Sequence, residues 1–276
     1  MPWHAQLNLD YRLDAQRTVL RHEHSGPLRI FKSLYPEGDA ICHNVIIHPP
    51  GGLVGGDVLD VQVHVRRGAH GLISTPGATR FYASDGLPTT QQVKLVLDAG
   101  ARLEWLPLEA IAYPGCQAHN SLSATLAEGA ELLAWDVTAL GLPTAGQAFD
   151  QGRFNQRLEI PGLWLEQARI DAADTRLLES PLGLGGQRCL GTLWLASGTP
   201  FSRERREQLL DGVRAVLDTA PASVQVGATC PNPQMLVVRA VAPLVEPLMA
   251  TLQQVWAALR PLAWGLDGTP PRIWRV

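Results

Sequence analysis

The sequence is poor in the residues that build disulfide frameworks and membrane spans. Its 276 residues include four cysteines, none of them close to another in sequence. This density is far below that of a disulfide scaffold, so we expect reduced thiols and a cytoplasmic protein. No apolar stretch approaches the roughly 20 residues that span a bilayer, and the first residues lack the pattern of a signal peptide. We therefore expect no membrane association.

An excess of positive charge is also missing. The net charge is −3, and lysine is rare beside arginine. A protein that binds nucleic acid broadly presents a basic face. The composition therefore argues against a nucleic-acid partner.

Signatures of catalysis are absent from the most glycine-rich part of the chain, residues 48–84. A phosphate loop places a lysine and a hydroxyl after its glycines, whereas Gly55 and Gly56 are followed by the carboxylate of Asp57. The sequence also lacks the Gly-x-Ser-x-Gly nucleophile elbow and the Gly-x-Gly-x-x-Gly dinucleotide fingerprint. Many backbone constraints without a reactive group favour a shaped surface or a conduit.

A strand–turn–strand unit recurs three times. Apolar residues alternate with polar ones before Gly68, Gly100 and Gly129, each glycine is followed by alanine, and apolar residues resume after it. Glycine at these turns suggests a positive φ. The spacing of about 30 residues predicts stacked β-layers in which each hairpin buries its apolar face against the next.

Other segments complete the predicted fold. Further strands are expected at 28–34, 44–47, 157–160, 164–170, 190–195 and 235–242. Apolar stripes predict two α-helices in the C-terminal third, over 203–219 with Ser202 as N-cap and over 244–260 with Pro261 as the stop. No linker divides the chain, so we expect a mainly β single domain over 1–276. Trp274 is expected to anchor the C-terminal segment.

Metal ligands are scattered along the sequence. Cys42 and His43 are adjacent, His48 follows, and His64 lies on the polar face of a strand; a His-x-His pair, His22 and His24, lies upstream. A structural zinc site usually shows two close pairs of ligands, which this chain lacks. Imidazole and oxygen donors suit nickel, so Cys42, His43, His48 and His64 are candidates for a transient nickel path. The alternative is that these side chains are simply solvated or hydrogen-bonded within the protein.

Several carboxylates stand among apolar residues. Glu104 and Glu109 flank an apolar run, and Asp136 follows another. A buried charge needs partners or water, so these acids either line a wet passage or lie at layer edges beside arginines. As a pair they would also suit glycoside hydrolysis.

Long blocks of this sequence resemble the UreD (UreH) family of urease accessory proteins. The blocks are HPPGGLVGGDVL (48–59), STPGATRFYAS (74–84), LEWLPLEAIAY (103–113), HEHSGPLRIFKSLYPEG (22–38), VWAALRPLAWG (255–265) and PPRIW (270–274). The resemblance implies a β-helix-like stack of many short strands with two α-helices. It also implies no catalysis and no tightly bound cofactor.

The resemblance further implies a role in urease maturation. Members of the family bind the accessory proteins UreF and UreG and apo-urease, and they support GTP-dependent nickel delivery. An internal passage has been proposed for the family. The residues that would line it here are Asp57, Asp60, Tyr82, Ser84, Glu104, Glu109 and Asp136.

Two other functions are kept open by the sequence. One is a β-helical carbohydrate-active enzyme that uses Glu104 or Glu109 with Asp136. The other is a β-rich adaptor with no role in metal transfer.

Overall fold

Two mixed sheets, each with a central run of parallel strands, face each other in the computed structural model, which describes residues 2–275. The strands of the first half are β1 (His4–Asp14), β2 (Arg17–Ser25), β3 (Arg29–Ile30), β4 (Ile41–Ile47), β5 (Gly52–Leu53), β6 (Val58–Val65), β7 (His70–Ser74), β8 (Thr79–Phe81), β9 (Thr89–Leu97) and β10 (Arg102–Leu106). Those of the second half are β11 (Ala110–Ala112), β12 (Cys116–Leu126), β13 (Glu131–Leu142), β14 (Gln147–Ala148), β15 (Gly152–Ile160), β16 (Trp164–Asp171), β17 (Cys189–Ser197), β18 (Gln225–Asn232) and β19 (Met235–Ala242). The helices are α1 (Thr175–Glu179), α2 (Arg203–Leu217) and α3 (Val245–Trp264).

The strand order defines a β-solenoid of about four coils. The first sheet has the order β16-β15-β12-β9-β6-β1-β2, and the main path of the second is β18-β19-β17-β13-β10-β7-β4-β3. Strands β6, β9, β12 and β15 pair in parallel, as do β4, β7, β10 and β13. The expected mainly β, β-helix-like stack is confirmed.

The three glycine turns link the two sheets. Gly68, Gly100 and Gly129 have φ of 70°, 66° and 69°, which confirms the predicted positive φ. The hairpin expectation was wrong, because the strands on either side of a turn do not pair with each other. Strand β6 instead pairs with β9 of the next coil, since each turn carries the chain across to the opposite sheet.

Alternation along the strands creates two apolar layers. On β13, Leu132 and Ala134 point into the solenoid between the sheets, whereas Leu133 and Trp135 point toward α2 and α3. Successive residues of a strand face opposite sides, so the second sheet is buried on both faces. The interior of the solenoid and the layer under the helices are therefore separate environments.

The two long helices confirm the predicted pair, with altered ends. Helix α2 begins after Ser202, whose hydroxyl accepts a hydrogen bond from Arg205 N at 3.1 Å, and it stops at Leu217. The prediction that Pro261 ends the second helix was wrong. Helix α3 continues through Pro261 to Trp264 and ends at Gly265, whose φ of 66° supports a left-handed cap.

Most predicted strands are confirmed, and the exceptions lie near the N-terminus and in the C-terminal third. The predicted strand 28–34 shrinks to the two residues of β3. The long β1–β2 hairpin and β18 were not predicted.

Trp274 confirms its expected anchoring role, because its indole Nε1 donates to Ser74 Oγ at 2.9 Å and its ring lies 5.0 Å from those of Trp135 and Trp256.

The turn geometry makes a first prediction. A Cβ on Gly100 would meet no atom within 4 Å, so Gly100→Val tests the backbone conformation alone. We expect the free energy of unfolding to fall by about 1–3 kcal/mol, the cost of a positive φ for a β-branched residue. Gly77→Val is the matched control, because Gly77 also has open space but no positive φ. Equal unfolding midpoints in urea for the two variants would contradict the prediction.

Candidate functional site

Four polar side chains form a row inside the apolar solenoid. They are Gln91 on β9, Asn120 on β12, Asp136 on β13 and Gln156 on β15, and together we call them the interior row. In the register of the first sheet Asn120 is level with both Gln91 and Gln156. The parallel stacking of the coils therefore places these three amides side by side on one face.

Hydrogen bonds run continuously along the interior row. Gln91 Nε2 donates to Asn120 Oδ1 at 3.1 Å, and Asn120 Nδ2 donates to Asp136 Oδ2 at 3.0 Å. Gln156 Nε2 donates to the other carboxylate oxygen, Asp136 Oδ1. The row thus connects the two sheets and converges on a single acid.

The carboxyl group at the centre of the row, that of Asp136, ionises less readily than an ordinary aspartate. Burial raises the pKa of Asp136 to about 6, against the hydrogen bonds from Asn120 and Gln156, which favour the charged form. The charge of the nearby Glu166 carboxylate contributes to this rise in the pKa. The ionised form of Asp136 is therefore costly in the apolar interior, and a cation beside it would stabilise that form.

The row continues to an edge of the solenoid. Glu166 on β16 accepts hydrogen bonds from Thr192 Oγ1 and from Arg239 Nε, each at 2.6 Å. Thr192 is level with Asp136 in the pairing of β13 with β17, and Arg239 is level with Thr192. Arg239 is exposed, so polar groups extend from Asp136 to the solvent on this side.

A cavity of about 370 Å³ lies at the other end of the row. Gln91 belongs to both the row and the cavity wall, and His48, Thr75 and Trp105 line the same space. Among the described residues nothing hydrogen-bonds to His48 Nε2, which is buried. Burial lowers the pKa of His48, although the charge of Asp57 opposes that shift, so the imidazole is held neutral.

The predicted passage residues fall into separate places. Asp136 lies in the interior row, as described. Asp57 is buried in a turn, where it accepts hydrogen bonds from the backbone N–H groups of Trp3 and Val54 at 2.7 and 3.0 Å. Asp60 is on the outer face of β6 beside Gln62. The structure does not bring these three acids together.

Tyr82 and Ser84 lie in the loop beyond the cavity. The Tyr82 ring is 4.8 Å from the ring of Tyr113, and Ser84 Oγ donates to the carbonyl of Leu87. Glu109 is half-buried in the loop after β10. Burial raises the pKa of Glu109, and the charge of Glu246 at the start of α3 adds to the shift.

Glu104 lies on the other side of the second sheet, under α3. It is fully buried and accepts hydrogen bonds from Trp256 Nε1 at 2.7 Å and from Arg260 Nη2 at 3.2 Å, with His70 Nε2 at 3.1 Å. Burial opposes its ionisation, but the hydrogen bond from His70 and the charges of His70 and Arg260 outweigh that effect and lower the pKa of Glu104. Arg260 also bonds Glu37.

The position of Glu104 bears on the enzymatic alternative. Glu104 contacts side chains of α3, whereas Asp136 contacts Asn120 and Gln156 of the first sheet. The two carboxyls therefore lie on opposite faces of the second sheet. Glycoside hydrolysis needs two carboxyls that flank one bond, so this pair is unsuited to it.

The candidate metal ligands do not form a common site. Cys42 Sγ is 3.3 Å from Asn44 Oδ1 inside the solenoid, whereas His43 on the other face of β4 contacts Glu37 Oε1 at 2.8 Å. His64 pairs with Asp98 at the surface. Within residues 2–275 no three histidine, cysteine, aspartate or glutamate side chains are grouped to hold a metal ion. A transient role for these residues stays a prediction.

Sequence reasoning missed several members of the site. Gln91, Asn120 and Gln156 occur in otherwise alternating strands, at positions where the pattern calls for an apolar residue. Glu166 lies in a strand that was predicted, and its inward position on the same face as Ile170 was a usable signal. No helix that the structure describes is long and apolar enough to cross a membrane.

Comparison with known proteins gives one consistent result. The chain matches the family described as UreD urease accessory protein over residues 4–275. Three relatives named urease accessory protein UreD come from Albidiferax ferrireducens, a Polaromonas species (strain JS666) and Methylibium petroleiphilum. They are 60%, 58% and 46% identical to it, and each alignment covers 100% of both chains. Those names describe an accessory protein and not an enzyme, and this chain belongs to the UreD family of urease accessory proteins.

Proposed function

We propose that this protein is a non-catalytic factor that supports GTP-dependent delivery of nickel to apo-urease in the cytoplasm, in complex with UreF-type and UreG-type partners. Membership of the UreD family is established above. The proposal adds the partners, the cargo and a route for that cargo. Nickel is the cargo here and not a resident cofactor.

The interior row supplies the route in this proposal. A neutral imidazole in the cavity, three amides, one acid and the Glu166–Arg239 pair follow one another across the solenoid. Amide and carboxylate oxygens and imidazole nitrogen are all donors that nickel accepts. Because each position along the route offers few donor atoms, a nickel ion would be held weakly there and could pass to the next position.

Asp136 is the single observation that carries this proposal. Burying an acid in an apolar core costs folding free energy unless a partner compensates for it. The partners of Asp136 are all neutral: the amides of Asn120 and Gln156 and the hydroxyl of Thr138. A passing divalent cation would be attracted by its charge. The arrangement favours transit at this point over a purely structural role.

Asp136→Asn provides the test. The change removes the charge and keeps nearly the same shape, so we expect normal assembly with the partners. The rate of urease activation should fall by about tenfold, the factor for a barrier about 1.4 kcal/mol higher. Copurification measures assembly, and nickel content with urease activity measures activation.

Asp60→Asn is the matched control, because Asp60 is an acid on the outer face of the solenoid. It should activate urease like the parent. Full activation by the Asp136→Asn protein would remove the passage and leave the adaptor function. Loss of assembly in that variant would show that Asp136 acts through structure.

A further inference from the structure

Two imidazoles lie side by side on the edge strand β2, away from the interior row. The ring centroids of His22 and His24 are 6.3 Å apart, and their planes are within 10° of parallel. Residues two apart on a strand point to the same face with a separation of about 6.6 Å. The strand geometry therefore fixes this pairing, and both side chains are exposed.

The surroundings leave the pair accessible. Strand β2 is the last strand of the first sheet, so within residues 2–275 no further strand of that sheet covers its outer edge. His22 and His24 are level with Leu9 and Leu7 of β1, which are apolar and offer no competing ligand. Two imidazoles from one strand can turn toward a single ion, which each binds at about 2.0–2.1 Å.

Arg29 competes for one of these imidazoles. Its Nη1 lies 3.1 Å from His24 Nδ1 and also donates to the carbonyls of Gly26 and Leu28. A guanidinium can only donate hydrogen bonds, so it occupies the lone pair of His24 Nδ1 and leaves the proton on Nε2. A cation must displace Arg29 before it can use His24.

We propose that His22 and His24 form a surface site that captures a divalent cation of the nickel, cobalt and zinc class, in competition with Arg29. Imidazole is a preferred ligand of these ions. Two protein donors and a competing guanidinium make the site weak and reversible. The site is separate from the passage, and its test uses the isolated chain, so the result does not depend on urease activation.

The test is a calorimetric titration of the untagged chain with Ni²⁺. His22→Ala and His24→Ala should each weaken Ni²⁺ binding by about tenfold or more, because each removes one of two ligands. Arg29→Ala should tighten it, because the competitor is gone. All three side chains are exposed, so the variants should melt with the parent.

Two controls separate the site from general effects. Arg21 is an exposed arginine on the same strand but is level with Asp10, on the outer face; Arg21→Ala should leave Ni²⁺ binding unchanged. His119 is an exposed histidine without a histidine neighbour two residues away, and His119→Ala should also bind like the parent.

Several outcomes would overturn the proposal. They are an absence of Ni²⁺ binding by the parent, a loss of affinity in only one of the two histidine variants, and an equal gain for Arg29→Ala and Arg21→Ala. The second would indicate a single imidazole, and the third a bulk effect of charge.

Discussion

Arg260→Ala should lower the free energy of unfolding by about 3–5 kcal/mol, the cost of leaving a buried charge without its partner. The Arg260 side chain is fully buried and donates to Glu37 at 2.7 and 2.9 Å and to Glu104 at 3.2 Å. Without it, the buried Glu104 beneath α3 keeps only His70 and Trp256 as hydrogen-bond partners among the described residues. Unfolding in urea measures the loss.

An exposed ion pair gives the comparison for this prediction. Arg203 pairs with Glu207 at 2.8 Å on the surface of α2, and Arg203→Ala should leave the urea midpoint close to that of the parent, because exposed ion pairs contribute little. The loss of stability in Arg260→Lys should lie between the losses in Arg260→Ala and Arg203→Ala, because lysine keeps the charge but cannot bridge both carboxylates. Similar losses for Arg260→Ala and Arg203→Ala would show that the buried network contributes little.

Asp136→Asn should stabilise the protein at neutral pH, by at most about 3 kcal/mol. The pKa of Asp136 is raised from 3.8 to about 6 by burial, and each pKa unit corresponds to about 1.4 kcal/mol. Because the folded-state pKa is the higher one, the native state holds the proton more tightly. The stability that the protonated Asp136 gives the parent protein is fully present below about pH 4 and is lost as the pH rises through about 6.

Unfolding measured from pH 4 to pH 8 tests this linkage. The variant and the parent should have similar stabilities at pH 4 and diverge as the pH rises, with the variant more stable. Asp60→Asn, on the outer face, should stay within about 0.5 kcal/mol of the parent throughout. A constant difference between Asp136→Asn and the parent would contradict the raised pKa. A variant that is more stable but activates urease poorly could not have failed by unfolding.

Local patterns were sufficient to predict much of the fold. The glycine turns at 68, 100 and 129 and the stripes of α2 and α3 follow from turn chemistry and from helical periodicity. The alternation of Ala5, Leu7, Leu9 and Tyr11 was equally clear in the sequence and corresponds to β1. That strand was overlooked, although nothing in its pattern was unusual.

The partners of the buried acids could not be predicted in the same way. Glu104 and Asp136 look alike in the sequence, since each stands among apolar residues. A strand of the second sheet is buried on both faces, so alternation does not tell which side an acid takes. The bond from Arg260 to Glu104 joins residues 156 positions apart. Such a pair depends on how α3 packs, which local pattern does not encode.

The parallel pairing of the coils also governs how fast the chain can fold. Val61 pairs with Val93, and Val93 with Leu122, so each parallel ladder between neighbouring coils closes a long loop before its first hydrogen bond forms. The entropy of loop closure is lost before the contacts compensate for it, and folding is slow in chains dominated by distant contacts. The β1–β2 hairpin closes over only two residues, Ala15 and Gln16. Its short loop lets this hairpin form early, and β6 and then β9 can add to it in turn.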